Sequence, residues 1–213
     1  MSSPRRQSRA VSRSGEQPRA WQRMLSGRRL DLLDPSPLDI EIEDIAHGLA
    51  RVARWNGQTL GTHAFSVAQH CLMVEEIFGA LNPACPRSHR LMALLHDAPE
   101  YVVGDLISPF KAAIGLDYKA FEMRLLRAIH TRFGLPPESS PDTTAAIKNA
   151  DRIAAYFEAT RLAGFSEDEG ELYFGNPTGL PRRLADRLSR LEAWPTEEAQ
   201  SRFLVRFREL VRP

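Results

Sequence analysis

Two histidines and two aspartates stand on helix faces that the surrounding spacing makes apolar. His70 lies between Val67 and Val74 on one predicted helix, and Asp151 follows Ile147 by four residues on another. Residues three or four apart share a face of a helix, so these polar groups point toward the interior. The four residues with this placement are His70, His96, Asp97 and Asp151.

A single histidine on an apolar face is usually a core residue with a hydrogen-bond partner. Two histidines and two aspartates that can converge indicate a shared cation instead, because an ionised carboxylate is very costly to bury alone. Imidazole and carboxylate groups are ligands for borderline and first-row metals. The set therefore predicts one divalent metal ion (Mn, Co, Fe, Zn or Mg) with positions left open for water and substrate.

Helices must position these side chains, and the apolar spacing predicts an all-α chain without alternating strands. Turn signals such as Asn56-Gly57 and Asn82-Pro83 separate the helices. Residues 164–181, rich in Gly, Asn and Pro, are predicted to form a loop. The predicted helices cover residues 39–55, 63–80, 87–97, 117–133, 141–162, 184–193 and 196–211.

Composition excludes several classes of protein. The formal net charge of +1 argues against a nucleic-acid binder, which usually carries a basic excess. Two cysteines cannot build a disulfide framework, and no apolar run is long enough for a bilayer. The N-terminus lacks the apolar core of a secretory signal. We therefore expect a cytoplasmic protein that does not contact a membrane.

The charge is concentrated at the N-terminus, where residues 1–30 contain eight Arg and one Glu. The first twenty residues are rich in Ser, Arg, Gly and Pro and contain few apolar side chains. Such a composition cannot offset the entropy of ordering. We predict a disordered basic tail over residues 1–20 and a single domain over residues 21–213.

Longer segments of the chain resemble a known family. The H…HD…D order of the four polar residues resembles the signature of the HD-domain phosphohydrolase superfamily, and the surrounding segments are most similar to its bacterial 5′-deoxynucleotidases. The resemblance covers roughly residues 40–165 and implies an all-α HD-domain helical bundle that removes the 5′-phosphate from (deoxy)nucleoside monophosphates. The similar segments are SVAQH (66–70), LLHDAPEYVVGDLISPFK (94–111), DYKAFE (117–122) and KNADRIAAY (148–156).

The same resemblance implies roles for individual residues. The four polar residues correspond to the metal ligands of the family, and Glu100 to the glutamate that manages the proton of the attacking water. Asp105 corresponds to the acidic residue that meets the sugar. Arg54 would bind phosphate and Trp55 would pack on the deoxyribose. Arginine suits this role because its planar guanidinium can fork onto phosphate oxygens.

Other features lie at the margin of the resemblance. The spacing from Trp55 to His70 is one residue longer than in the family, which bears on sugar preference. Lys111 is a further candidate for contact with phosphate, and His63 has no counterpart in the family. The resemblance also implies a homodimer, for which the last helices offer apolar residues. These are Leu184, Leu188, Leu191, Phe203 and Phe207.

Three other functions use related sequences. A deoxynucleoside triphosphohydrolase would need the same metal ligands, and pocket depth rather than sequence separates it from a monophosphatase. A hydrolase of guanosine polyphosphates typically has an acid where this chain has Tyr101. A non-catalytic sensor of metal and nucleotide need not keep Glu100 and Arg54. The first and third remain alternatives to the monophosphatase.

Overall fold

The computed structural model describes residues 20–105 and 116–212, and helices dominate both ranges. The prediction of an all-α fold is confirmed. Residues 1–19 of the expected tail and Lys111 lie outside the described residues. The tail and the single-domain boundary therefore stay predictions. The helices are α1 (Ile42–Leu49), α2 (Val67–Leu81), α3 (Arg87–Leu94), α4 (Glu100–Val103), α5 (Leu116–Arg132), α6 (Pro141–Arg161), α7 (Glu167–Phe174), α8 (Arg182–Leu188) and α9 (Thr196–Val211), with 3-10 turns at Pro37–Asp39 and Arg54–Gly57.

A short β-hairpin precedes the helices and corrects the expectation of no strands. Strand β1 (Trp21–Arg23) pairs antiparallel with β2 (Arg29–Asp31). Each strand has three residues, which is too few for an alternating pattern to be recognised in the sequence. In the turn between them, Ser26 donates from its N–H and its hydroxyl to the buried carboxylate of Asp44. These two bonds fix the hairpin on α1.

The core lies around α2, which packs against α3, α6 and α9. Serine side chains cap the N-termini of α2 and α6: Ser66 accepts from the N–H of Gln69, and Ser140 accepts from the N–H of Thr143. Such caps satisfy N–H groups that have no partner inside the helix. The inward faces of α2 and α6 are almost fully apolar. The polar residues that interrupt them therefore stand out in the structure as they do in the sequence.

Several helices end earlier than the sequence indicated; the one predicted over residues 184–193, for example, ends at Leu188. The helix predicted over residues 39–55 covers only α1, and the chain then turns into a 3-10 segment that contains Arg54 and Trp55. The helix predicted to reach Asp97 ends at Leu94, and residues 95–99 form turns. Pro99 has no N–H to donate and so does not extend a helical ladder across this segment. His96 and Asp97 therefore lie on a turn, and not on a helix.

Helix α7 lies inside the segment predicted to be a loop, so that prediction was wrong. The hydroxyl of Ser166 accepts from the N–H of Glu169, and the carboxylate of Glu169 accepts from the N–H of Ser166. This reciprocal capping box is a recognised start signal of helices. The sequence signal was Ser166 followed by Glu169, which the Gly, Asn and Pro residues further on obscured.

Close packing sets the position of α4, the helix that begins with Glu100. A Cβ atom added at Gly48 of α1 would lie 2.8 Å from the Cβ of Tyr101. Glycine is therefore required at this crossing, and it allows α4 to lie directly on α1. The contact holds Glu100 at one end of the core.

The apolar residues of α8 and α9 do not form the dimer surface suggested by the sequence. Leu184, Leu188, Phe203 and Phe207 are buried in the core of this chain, and Leu191 is partly buried against it. A homodimer stays a prediction that requires another surface, and the molar mass in solution would test it. No described helix is long and apolar enough to span a bilayer.

Candidate functional site

The four residues that the sequence predicts as metal ligands come together in the structure. His70 lies on α2 and is fully buried, Asp151 lies on α6, and His96 and Asp97 lie on the turn after α3. The Nε2 atom of His70 is 3.3 Å from Nε2 of His96, from Oδ2 of Asp97 and from Oδ1 of Asp151. Nε2 of His96 is also 3.3 Å from Oδ2 of Asp97. Atoms from three separate parts of the chain thus surround one point.

The hydrogen bonds on the far side of each imidazole show what these atoms offer. Nδ1 of His96 lies 2.9 Å from the carbonyl oxygen of Ala93, and Nδ1 of His70 lies 2.5 Å from Oε1 of Glu158. Carbonyl and carboxylate oxygens only accept, so in each ring Nδ1 carries the hydrogen. In its neutral form, each ring then presents the lone pair of Nε2 to the shared point. A second partner at Nδ1 is the usual arrangement around histidines that bind metals.

The chemistry of this donor set fits a divalent cation. Two imidazole lone pairs and two carboxylates converge, and each is a recognised ligand type for first-row metals. His70, His96 and Asp97 each place one ligand atom within 4.8 Å of the others. Nε2 of His70 and Nε2 of His96 lie 3.3 Å apart, and either a proton or a cation between these atoms and the carboxylates relieves the repulsion of their lone pairs. A metal role for these residues stays a prediction that the geometry supports.

The pKa values of the candidate ligands are shifted by the opposite charges of their neighbours. Burial acts to raise the pKa of Asp97, but His96 and His70 hold that pKa well below its usual value. Burial also acts to lower the pKa of both histidines, and the neighbouring carboxylates more than offset it. The cluster therefore favours the presence of positive charge among its carboxylates.

A second group of side chains lies next to the candidate ligands. Nε and Nη2 of Arg54 each lie 3.2 Å from Oε2 of Glu158, and Nε1 of Trp55 donates to the same oxygen at 2.9 Å. Nη1 of Arg54 lies 3.4 Å from Oδ2 of Asp105. Burial acts to lower the pKa of Arg54, but Glu158, Asp105 and the nearby aspartates raise it above its usual value. The guanidinium is thus a permanent positive charge at the edge of the cluster.

The backbone beside Arg54 has an unusual conformation. Trp55 and Asn56 have φ values of 56° and 51°, in the left-handed region that bulky side chains rarely adopt. A residue held there costs about 1–3 kcal/mol. A backbone bridge between Ala53 and Ser66 ties the segment to the start of α2, and the Trp55 ring packs against Phe165 and Phe174. Tertiary contacts therefore hold Trp55 where it would not lie by itself.

Sequence reasoning missed Glu158, the residue on which these two groups meet. Its side chain is fully buried, and it lies seven residues after Asp151 on the same face of α6. Burial acts to raise its pKa, but Arg54 and then His70 lower it to about 2. The available signal was one Glu inside an otherwise apolar run, two helical turns from a predicted ligand.

The remaining candidates differ in placement. Glu100 is 1% exposed, and its N–H donates to the carbonyl of Asp97. Glu100 therefore begins α4 three residues after the candidate ligand Asp97, with its side chain buried. His63 is exposed and precedes α2. The structure thus brings Glu100, Arg54, Trp55 and Asp105 to the ligands, while Lys111 lies beyond the described part of the chain.

Comparison with known proteins gives relatives of two kinds. No family model matches the chain. It is 57% identical over 195 residues to an uncharacterized protein of Rhodobacter capsulatus, covering 91% of this chain and 97% of that one. It is 30% identical over 132 residues to a 5′-deoxynucleotidase of Vibrio cholerae, covering 50% of this chain and 66% of that enzyme.

A solved structure shows a weaker similarity. It is the HD phosphohydrolase DatZ of cyanophage S-2L, bound to dA and one catalytic Zn²⁺ ion. The sequences are 19% identical, the TM-score is 0.45, and the alignment covers 81% of this chain and 96% of that one.

Proposed function

Because the chain belongs to the HD-domain phosphohydrolase superfamily, near the bacterial 5′-deoxynucleotidases, we propose that it hydrolyses the 5′-phosphate of (deoxy)nucleoside monophosphates. One observation carries this proposal. Four lone-pair donors, on His70, His96, Asp97 and Asp151, surround one point with a guanidinium beside them. A phosphate monoester carries negative charge that repels nucleophiles, so positive charge around its phosphoryl oxygens accelerates its hydrolysis.

The four converging residues would hold the metal. A divalent ion held there would neutralise part of the phosphate charge and would lower the pKa of a bound water toward neutral pH. The histidines are suited to hold it because each ring is fixed through Nδ1, by Glu158 and by the carbonyl of Ala93. Neutral imidazoles and carboxylates leave the choice among Mn, Co, Fe, Zn and Mg open.

Arg54 would hold the phosphate. Three of its five N–H groups face Glu158 and Asp105, which leaves two for a ligand. Because both carboxylates fix the guanidinium, little side-chain entropy remains to be lost when a phosphate binds. Two parallel N–H donors on one planar group are well matched to two phosphate oxygens.

Glu100 would take the proton of the attacking water. Its carboxylate is buried beside the cluster and lies outside the converging ligand set. A base in this position acts on the water without holding the metal, which separates the two roles. Asp105 and Trp55 would meet the sugar, and their contacts with Arg54 and Glu158 join them to the site.

A panel of nucleotides tests the proposal. Protein loaded with Mn²⁺, Co²⁺ or Zn²⁺ is incubated with nucleoside mono-, di- and triphosphates of both sugars, and phosphate, pyrophosphate and triphosphate release are measured separately. We expect phosphate from the monophosphates. Triphosphate released from the triphosphates would identify a triphosphohydrolase instead. Nucleotide binding without any release would identify a sensor.

A further inference from the structure

The two oxygens of the Glu158 carboxylate are divided between two sets of donors. Oε1 lies 2.5 Å from Nδ1 of His70. Oε2 accepts from Nε1 of Trp55 at 2.9 Å and from Nε of Arg54 at 3.2 Å. The side chain is fully buried, so no water competes for these positions. One carboxylate thus joins a candidate metal ligand to the candidate phosphate-binding residue.

On the metal side, Oε1 decides which nitrogen of His70 carries the hydrogen. An oxygen that only accepts requires the hydrogen on Nδ1, and this leaves Nε2 as the atom that faces His96, Asp97 and Asp151. A donor in the place of Oε1 would favour the opposite tautomer. Nε2 would then carry a hydrogen toward the metal position and could not bind a cation.

On the substrate side, Oε2 binds Arg54 and Trp55, whose strained backbone depends on tertiary contacts. Trp55 lies in the left-handed region, and its indole N–H has Glu158 as its acceptor. Arg54 directs two of its nitrogens at the same oxygen. Because His70 and Arg54 bind the two oxygens of the same carboxylate, Glu158 fixes the distance between the imidazole and the guanidinium.

We propose that Glu158 is a positioning residue that sets the His70 tautomer for metal binding and holds Arg54 and Trp55 at a fixed place beside the metal. Glu158 touches neither the metal nor the substrate, and acts through its neighbours. The substrate side of this inference rests on the proposed function. The metal side does not, because metal binding is measured without turnover.

The variant Glu158→Gln tests the proposal with little change of shape. The amide offers one acceptor and one donor, so one of the two donor sets must face an N–H. The oxygen should turn toward the three donors of Arg54 and Trp55, which places the NH₂ against Nδ1 of His70. We expect the affinity for Mn²⁺ and Co²⁺, measured by competition with a chelating indicator, to fall by about 10–100-fold.

A matched control is available in Glu75, which is also buried and pairs with two arginines, Arg90 and Arg206. Glu75→Gln removes the same charge by the same substitution, away from His70. We expect its metal affinity to equal that of the wild type. An equal loss in both variants would show a general effect of removing a buried carboxylate and would overturn the proposal.

A spectroscopic readout addresses the tautomer directly. In full-length protein loaded with Co²⁺ and labelled with ¹⁵N-histidine, we expect two shifted, slowly exchanging imidazole N–H resonances, from Nδ1 of His70 and of His96. Glu158→Gln should move or remove the His70 resonance and leave that of His96, which donates to Ala93. Two unchanged resonances in the variant would overturn the proposal.

A second variant keeps the proposal testable if Glu158→Gln does not fold. Glu158→Asp keeps the charge but withdraws the carboxylate by one methylene, so its metal affinity should fall between those of wild type and Glu158→Gln. Wild-type affinity in Glu158→Asp, with no change at the His70 resonance, would overturn the proposal. Wild-type protein that binds metal but hydrolyses no nucleotide would sink the proposed function and leave the role of Glu158 at His70 intact.

Discussion

Two buried glutamates hold arginines against α2, and the clusters around them differ in what they accomplish. The site cluster consists of His70, Glu158, Arg54 and Trp55. The scaffold cluster consists of Glu75, Arg90 and Arg206, and its N–O distances lie between 2.6 and 2.9 Å. Both bury a carboxylate almost completely, with 0% exposure for Glu158 and 2% for Glu75.

The scaffold cluster joins three regular helices, since Glu75 lies on α2, Arg90 on α3 and Arg206 on α9. Its backbone lies in ordinary helical regions, and its arginines are partly exposed. The site cluster includes a residue in the left-handed region and faces converging lone pairs. A buried ion pair alone therefore does not identify a functional site. The strained backbone and the converging imidazole and carboxylate groups beside the pair are what make the site cluster the candidate.

The largest expected effect comes from removing a candidate ligand next to the site cluster. Asp151→Ala should lose the bound metal and lower turnover on the order of 10⁴-fold, because the metal supplies several kcal/mol of transition-state stabilisation. Metal-free Asp151→Ala should be somewhat less stable than metal-free wild type near neutral pH, because His70 and His96 hold the pKa of Asp151 below its usual value and so outweigh its repulsion from Asp97. Metal content and thermal unfolding check both parts. Retained metal at full occupancy would remove Asp151 from the ligand set.

The next largest effect is expected at Glu100, and it distinguishes proton transfer from metal binding. Glu100→Gln should keep the metal and slow turnover by about 10²–10⁴-fold, the usual contribution of a positioned acid–base group. The measurement is kcat on the best nucleotide, with metal content determined on the same sample. Loss of metal in this variant would make Glu100 a ligand and would contradict the division of roles.

A smaller effect concerns the sugar. Trp55→Ala should reduce the preference between deoxyribose and ribose by roughly tenfold, and slow the preferred reaction less, because it removes the ring that would pack on the sugar. Trp55→Phe keeps a ring and removes only the N–H donated to Glu158. Ratios of kcat/KM for paired nucleotides give the result. An unchanged ratio in Trp55→Ala would place the sugar elsewhere.

The smallest effect on activity is expected in the scaffold cluster. Glu75→Gln should leave metal content and turnover unchanged and lower the free energy of unfolding by roughly 1–3 kcal/mol, because Arg90 and Arg206 lose a charged acceptor. Each kcal/mol corresponds to a fall in Tm of about 2–4 °C for a chain of this size. Glu198→Gln, in an exposed pair with Arg202, is a control that should change Tm little. Lost turnover in Glu75→Gln would show that the scaffold cluster also contributes to activity, and would contradict the comparison of the two clusters.

The sequence was sufficient for the features that local spacing determines. The all-α class follows from apolar residues at helical intervals, and α6 lies within one residue of its predicted bounds because Ser140, Pro141 and Asp142 form a strong start signal. His70 and Asp151 could be selected because a polar group on an apolar helix face needs a reason to be there; the same argument selected His96 and Asp97, although they lie on a turn. The resemblance to known hydrolases added roles for Glu100, Arg54 and Asp105.

Features that depend on distant contacts could not be predicted in this way. The left-handed conformation of Trp55 is held by Glu158, about a hundred positions away in the chain. The end of α3 before His96 and Asp97 places their side chains by a turn, where helical spacing gives no guide. Helix α7, in contrast, could have been predicted from Ser166 and Glu169; the error was to give the Gly, Asn and Pro residues of this segment more weight than the capping signal.

The sequence by itself thus determined which residues are chemically able to bind a metal and a phosphate, because residue type and helical period are local properties. Only the tertiary structure decided how they are used. It showed that Nε2 of both histidines faces the same point, and that the acceptor behind His70 is the same carboxylate that holds Arg54. Hydrogen-bond direction depends on which atoms meet across the core, and that is fixed only when the helices pack.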